Sequence, residues 1–480
     1  MATLGRPHPP AVSRTLSAPV AEAGLLLPRE RMAAVCMSVL VLATYARLVF
    51  PVDALLALAS LALAGFVLAV WTRVPRQARV FVGLALLAVA AVLLATRDGL
   101  RVVGSAGAQS TQFATLLAAL ATLRLPMRRS ALITRAAAWL VACSPRRRYA
   151  ALSFGSHLLS LIFSFGVVPM MGEMLRRSGL DARTNAGARQ MLMAVIRGLS
   201  MTTAWSPMAI SFAIVSVALP TLRPLAFMGA GFLAAALVLA GGCVLHRPLP
   251  LAAPQEDMAA AGDGRSLLVI LAMAATLFGA TLCLYQLTGL PFIMASAITL
   301  PCFSFLWLAM ERPASGAGEH APAALASQFF RVLTELRSET FIFSASTFIG
   351  QAIVAIVLAH AGGHADGLHL PPLAFALLLL WATPLVAMFS IAPTIVVLLL
   401  AQTLAHSGVG AQTPVTFACA LTLGWSLAIG ISPVSATLLI AGSITGVSPR
   451  EIALRWNLRY SLAAAVAASG LIAVFYALRW

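Results

Sequence analysis

Two stretches of this chain place hydroxyl side chains beside a proline in the middle of long apolar runs. One is Gly198-Leu199-Ser200-Met201-Thr202-Thr203-Ala204-Trp205-Ser206-Pro207. The other is Gly424-Trp425-Ser426-Leu427-Ala428-Ile429-Gly430-Ile431-Ser432-Pro433, and both read Gly-x-Ser-x5-Ser-Pro. Their Ser-Pro pairs stand 226 positions apart (206 and 432), and the same offset separates Phe163-Ser164 from Phe389-Ser390. The Ser of each Phe-Ser therefore precedes the Ser of its Ser-Pro by 42 positions, and two matched pairs with one offset indicate an internal duplication.

The chemistry such a pattern supports is anion binding. Proline removes a backbone donor and clashes with the preceding turn, so a span carrying Ser-Pro at mid-depth breaks. Half-helix N-termini then face the bilayer midplane with about half a positive charge each, and interrupted spans at matching positions of two halves point to a transporter's site. Ser164, Ser200, Thr202, Thr203 and Ser206 would line one half; Ser390, Thr394, Ser426, Ser432 and Thr437 would line the other. Phe165, Gly166 and Pro207, with Pro393 and Pro433 opposite, shape the tips and breaks around those hydroxyls. For any single Ser or Thr the competing role is a bond back to its own helix carbonyl. Arg197, inside a span, is either a counter-charge for the anion or a side chain reaching back to the membrane edge near Arg189. His157 is either a proton-coupling group or a packed position in the first tip region. Ser60 reads as lipid-facing and serves as the comparison position.

The elements that must hold these residues are membrane helices. Hydrophobic residues make up 60% of the chain and charged residues 10%, mean hydropathy is +0.94, and apolar stretches of about 20 residues recur. The formal charge of +17 comes from Arg alone, since the sequence contains no Lys. These Arg residues are scattered through short loops, which argues against nucleic acid and for topology signals. The six Cys are isolated, with no metal-ligand or redox spacing. His360, His364 and His369 have only Asp366 beside them, too little for a metal site. No Asp or Glu sits centrally in a span, and no Walker motif is present.

Taken in order, residues 1–31 read as a disordered cytoplasmic tail without a cleavable leader. Residues 32–245 form an N-terminal repeat half, 246–265 a linker loop, and 266–480 a C-terminal repeat half. Spans are expected near 32–50, 52–71, 79–96, 106–123, 191–219 (broken), 224–245, 266–288, 290–310, 340–361, 414–445 (broken) and 458–478. Residues 124–148 and 311–338 read as amphipathic surface segments. Two helix-loop-helix hairpins, 149–174 and 372–404, dip in and return to the same side. With both re-entrant, 26 Arg fall on one face and four on the other, as the positive-inside rule requires. Making each hairpin a full crossing would move Arg176, Arg177, Arg183 and Arg189 to the wrong face. The expected fold is thus an all-α polytopic membrane protein with about 11 transmembrane helices, two re-entrant hairpins and two inverted repeats.

This arrangement resembles the ion transporter superfamily, which includes divalent anion/sodium symporters, C4-dicarboxylate carriers and arsenite permeases. The sharpest local match is Ile431-Ser432-Pro433-Val434-Ser435-Ala436-Thr437, then Ala441-Gly442 and Gly446-Val447-Ser448-Pro449-Arg450-Glu451, which is similar to the C-terminal broken helix of C4-dicarboxylate carriers. The tips differ: divalent anion symporters carry Ser-Asn-Thr where this chain has Ser164-Phe165-Gly166 and Ser390-Ile391-Ala392-Pro393-Thr394. The resemblance implies a secondary active transporter, moving a small anion such as a carboxylate across a bacterial inner membrane by alternating access. Na+ or H+ would be the coupling ion, no cofactor or metal is implied, and a homodimer is the expected assembly. A membrane enzyme and a structural subunit are the alternatives. The enzyme would need a catalytic constellation that the sequence does not show, and the subunit would not need duplicated polar breaks.

Overall fold

A computed structural model describes residues 28–127, 130, 132–163, 166–177, 180–246, 249, 263–310, 322–335, 337–360, 370–407 and 409–480. These residues form helices and turns, with no strand among them. The first half contains α1 (Pro28–Val49), α2 (Asp53–Val70), α3 (Arg76–Ala95), α4 (Gly99–Thr122), α5 (Leu132–Ala142), α6 (Pro145–Phe163), α7 (Val167–Arg177), α8 (Ala186–Thr202), α9 (Ile210–Ala218) and α10 (Pro224–Val244). The second half contains α11 (Gly264–Thr288), α12 (Phe292–Met310), α13 (Pro322–Glu335), α14 (Arg337–His360), α15 (Pro372–Ala387), α16 (Pro393–Ser407), α17 (Pro414–Ile431), α18 (Ala436–Thr445) and α19 (Leu458–Ala477). A single turn at Pro449–Glu451 and a π-helical segment, Ile452–Asn457, lead into α19.

The chain is a multi-pass helical membrane protein. Among the described residues, nine helices are long and apolar enough to cross a membrane. The other two expected crossings correspond to α4 and to the interrupted pair α8 and α9, both of which are richer in polar residues. Some boundaries differ from the sequence reading. The helix of α1 begins at Pro28, so the last four residues assigned to the tail are helical; residues 1–27 lie outside the described residues. The second hairpin also begins with helix at Pro372, but the first begins at Pro145, within the stretch read as a surface segment. Ser60 faces α4 rather than lipid: its Oγ would lie 3.3 Å from a Cβ placed on Gly107.

Both interrupted helices appear where Ser-Pro predicts them. The first, α8, is N-capped by Asn185, which accepts from Ala188 N at 3.0 Å, and it stops at Thr202. The second, α17, stops at Ile431, and Ser435 caps α18 by accepting from Leu438 N at 3.3 Å. Gly446 closes α18 with φ +66°, a left-handed C-cap that a side chain would strain. Ser390, at the turn between α15 and α16, also has a positive φ of 64°. A non-glycine residue held there costs about 1–3 kcal/mol, and such strain clusters at functional turns.

Register shows how each hairpin runs. Along α6 and α8, Tyr149 meets Arg197, His157 meets Gly198, and Ser160 meets Thr202. The numbers rise together, so α6 and α8 are parallel, and α7 must carry the chain back between them. In the second half, Phe375 meets Phe417 with ring centroids 5.9 Å apart, and Gly424 lies against the carbonyls of Leu379 and Leu380. There α15 and α17 are parallel, and α16 returns.

The 226-residue offset governs packing as well as sequence. Gly198 lies against the Ser153 carbonyl and Gly424 against that of Leu379, and the offset relates both members of the pair. Gly231 lets the last long helix of the first half approach the Ala204 carbonyl; the equivalents, Asn457 and Gly430, are joined by a hydrogen bond of 2.9 Å. The return limbs exchange partners, α7 packing on α18 and α16 on α9. Between the two broken helices, Thr422 donates to the Ala204 carbonyl at 3.0 Å, while Arg197 reaches Gly430 through Asn457. Residue numbers there run in opposite senses, so α8 and α17 are antiparallel. Outside this core, α1 packs on α2, and α3 and α4 pack on α14.

A methyl group at Gly424 would sit 2.7 Å from the Leu380 carbonyl, against backbone that cannot rotate away. Gly424→Ala is therefore expected to destabilise the protein by about 1–3 kcal/mol. Gly279→Ala, where a Cβ meets nothing within 4 Å, is expected to leave the unfolding temperature in detergent unchanged or higher. Equal unfolding temperatures for Gly424→Ala and wild type would refute the close approach.

Candidate functional site

At the first break most polar groups are paired, the exception being Ser153 Oγ, which is buried on α6 beside Gly198 without a partner. His157, 1% exposed, receives the Trp205 indole N–H at Nε2 (3.0 Å) and stands 3.1 Å from the Gly198 carbonyl at Nδ1. Indole is a donor only, so Nε2 is unprotonated and Nδ1 donates, which makes the ring neutral. Thr202 bonds the Ser160 hydroxyl at 2.6 Å and the His157 carbonyl at 2.9 Å. Ser206 accepts from Met208 N at 3.3 Å, and Ser211 donates to the Thr203 carbonyl at 2.6 Å. Ser200 bonds back to Ile196 O at 2.7 Å, the helix-internal alternative. Pro207 is buried and Thr203 half-buried. His157 thus clamps the first hairpin to its broken helix with both nitrogens engaged.

The second break is different. Three hydroxyls, Thr383, Ser432 and Thr437, are each 0% exposed, and none of the three has a partner. Unpartnered buried polar atoms are rare because each costs about 1–3 kcal/mol. Thr383 occupies the offset position of His157 (157 and 383), so the second half has a free hydroxyl where the first has its clamp. Ser426 bonds back to Thr422 O at 2.8 Å, and Ser435 donates to Ile429 O at 2.8 Å. Pro433 is half-buried, Pro393 buried and Thr394 half-buried.

Between the breaks lies Arg197, 9% exposed. Its Nε donates to Asn457 Oδ1 at 2.9 Å, its Nη1 to the Tyr149 hydroxyl at 2.7 Å, and its guanidinium carbon is 4.0 Å from the Tyr460 ring centroid. Among the described residues no carboxylate pairs with it, and its third nitrogen, Nη2, has no partner. The Tyr460 hydroxyl beside it is buried without a partner as well. His246, which follows α10, stacks on Tyr149 at 3.9 Å, and its Nε2 is unpartnered. Burial first, and then the charge of Arg197, pushes the His246 pKa down to about 4, so it stays neutral at pH 7. Asn457 uses its amide nitrogen on the Gly430 carbonyl, linking the cation to the backbone two residues before Ser432. It closes the π-helical segment, a distortion frequent at functional sites. Against Tyr149 the cavity volume is about 10 Å³, room for about one water.

The sequence-predicted residues fall into distinct places. Arg197 bonds Tyr149 and Asn457 near the ends of their helices, while Arg189 bonds the Ala182 and Arg183 carbonyls and covers Trp456. Gly166 and Ser390 are exposed at the hairpin turns, whereas Ser432 is fully buried. Ser164 and Phe165 lie outside the described residues, so the approach of Ser164 to Ser206 does too; His364, Asp366 and His369 are likewise outside. Four participants escaped the sequence reading: Tyr149, Thr383, Asn457 and Tyr460. Thr383 and Asn457 were accessible by adding 226 to His157 and Gly231, had the offset been carried beyond the serines.

A scan against protein-family models and a search of curated proteins give no match. Among solved structures, the YdaH transporter of Alcanivorax borkumensis, described as having an unusual topology, matches with a TM-score of 0.55. The match covers 85% of this chain and 99% of that one at 16% identity. At that identity the likeness is one of fold.

Removing the Asn457 amide leaves both Arg197 Nε and the Gly430 carbonyl without partners. Asn457→Leu is expected to lower stability by about 1.5–3 kcal/mol, measured as unfolding in detergent. No loss would mean that water or another group already satisfies both atoms.

Proposed function

We propose that this protein is a secondary transporter for small anions. It would be built from two inverted repeats, related to the ion transporter superfamily, and would work by alternating access. The observation that carries this reading is Arg197: a buried guanidinium without an acid among the described residues, tied through Asn457 to the second break. A charge at that depth is expensive, and its usual justification is function. An oxyanion would supply the acceptor that Nη2 lacks, with bidentate geometry suited to a carboxylate. The free hydroxyls of Thr383, Ser432 and Thr437 are further donors in the second half, and Ser390 and Thr394 belong to its hairpin. The antiparallel broken helices and exchanged return limbs support inversion about an axis between α8 and α17. The fold shared with a solved transporter supports the class.

Coupling to a Na+ or H+ gradient and placement in a bacterial inner membrane belong to the same reading. His157 is a poor proton carrier, because charging it would cost the Trp205 bond. The two halves then divide the work. The first half holds its hairpin rigidly by the His157 clamp, and the second supplies the unspent hydroxyls.

The test is uptake into proteoliposomes of a panel of carboxylates, arsenite and inorganic anions, with Na+ and proton gradients varied separately. Ser432→Ala and Thr437→Ala are expected to reduce transport of the preferred anion about fivefold to tenfold each. Ser206→Ala, whose hydroxyl already serves Met208, is expected to do less. Thr276→Ala, an exposed residue bonding only its own helix at Ala272 O, is the control. No uptake of any anion, or equal rates in all four variants, would remove the proposal.

A further inference from the structure

We propose that a second anion site lies outside the transport core, between α1, α2, α4 and α12, and that it binds a phosphate group. The cavity there has a volume of about 110 Å³ and is lined by Thr44, Arg47, Thr111 and Gln112 together with apolar residues such as Leu48 and Met294. A single water needs about 10–15 Å³ of such space, so the cavity has room for a polar group larger than one water. Its four elements carry none of the hairpin or break residues.

The donor inventory decides what fits. Thr44 and Thr111 have already committed their hydroxyl protons, to Leu40 O at 2.7 Å and Ala108 O at 2.9 Å. Among the described residues, Arg47 takes part in no ion pair or hydrogen bond, and the Gln112 amide has no partner. What faces the cavity is therefore one full cation, one amide donor and spare hydroxyl lone pairs. A cation would meet Arg47 repulsively, and a neutral apolar ligand would leave Arg47 and Gln112 unsatisfied. An oxyanion satisfies both, and a guanidinium fork matches phosphate as well as carboxylate.

The setting selects phosphate among oxyanions. Arg47 is two residues from the end of α1, and the turn that follows exposes Val49 (70%), Phe50 (64%) and Val52 (50%). Exposed apolar side chains flanking an arginine at a helix end mark the boundary between acyl chains and headgroups, where phosphodiesters are the abundant anions. The dipole of α1 accounts for a cation in its last turn, but for neither the cavity beside it nor the unpartnered Gln112. The phosphate could come from a phospholipid headgroup or from solution; both present the same group to Arg47.

The experiment uses the full chain purified in detergent and delipidated, titrated separately with phosphatidylglycerol, phosphatidylethanolamine and inorganic phosphate. Bound species are counted by native mass spectrometry, and thermal unfolding is followed in parallel. Wild type is expected to retain one phospholipid or phosphate in preference to further copies. Arg47→Gln is expected to weaken that first binding at least about tenfold, with Arg47→Lys and Gln112→Met intermediate. Retention of lipid, with free phosphate inert, identifies a headgroup site; protection by free phosphate alone identifies a soluble-ion site. Should Arg47→Gln misfold, Gln112→Met, which keeps the arginine and the volume, carries the comparison. Identical first-binding affinities for wild type, Arg47→Gln and Gln112→Met towards all three probes would overturn the proposal.

Discussion

A helix interrupted inside a bilayer must find partners for its freed carbonyls within the protein, because lipid offers none. Most of this molecule's core follows from that requirement. At the first break Ser211 serves Thr203 O and Thr422 serves Ala204 O. At the second, Ser435 serves Ile429 O and Asn457 serves Gly430 O. Two of these four partners come from another helix, so satisfying the breaks also fixes how the two broken helices cross and how the last helix docks. The hairpins are held by the same economy of space: Gly198 and Gly424 let each first limb press its carbonyls onto a broken helix where no side chain would fit.

The two halves use one design for different ends. In the first, a neutral histidine, a tryptophan, a threonine and a serine close on one another. In the second, the same positions hold Thr383, Val386, Ala428 and Ile431, and the buried hydroxyls of Thr383, Ser432 and Thr437 have no partners. The buried hydroxyl of Ser153 has none in the first. Arg197 stands where the halves meet, its charge held by an amide, a phenol and an aromatic face rather than by an acid. That environment orients the guanidinium without neutralising it.

Much of the fold was legible in the residues. The paired Gly-x-Ser-x5-Ser-Pro stretches located both breaks, the Arg distribution required both hairpins to return, and Ser390 lies at the second hairpin's turn as expected. The chemistry of the hydroxyls was less legible, because Ser206, which accepts from Met208 N, and Ser432, which has no partner, share the same Ser-Pro setting. Other bonds at the breaks join residues more than 200 positions apart, as with Ala204 and Thr422. Arg197 was ambiguous for the same reason: its Asn457 partner lies 260 positions on, on a helix whose π-helical start no local pattern announces. Ser60 misled because a small partner, Gly107, invites close helix contact without marking the facing residue.

The central claim is that the uncompensated charge of Arg197 exists to meet an anion. Equilibrium binding of the best-transported anion to detergent-purified wild type, Arg197→Lys and Arg197→Gln, alongside a neutral amide analogue of that anion, tests it most directly. The account predicts tight binding of the anion to wild type, a loss of at least about tenfold in Arg197→Gln with folding intact, and little discrimination by Arg197→Gln between the anion and its amide. Anion affinity unchanged by Arg197→Gln, with the preference over the amide preserved, would contradict it.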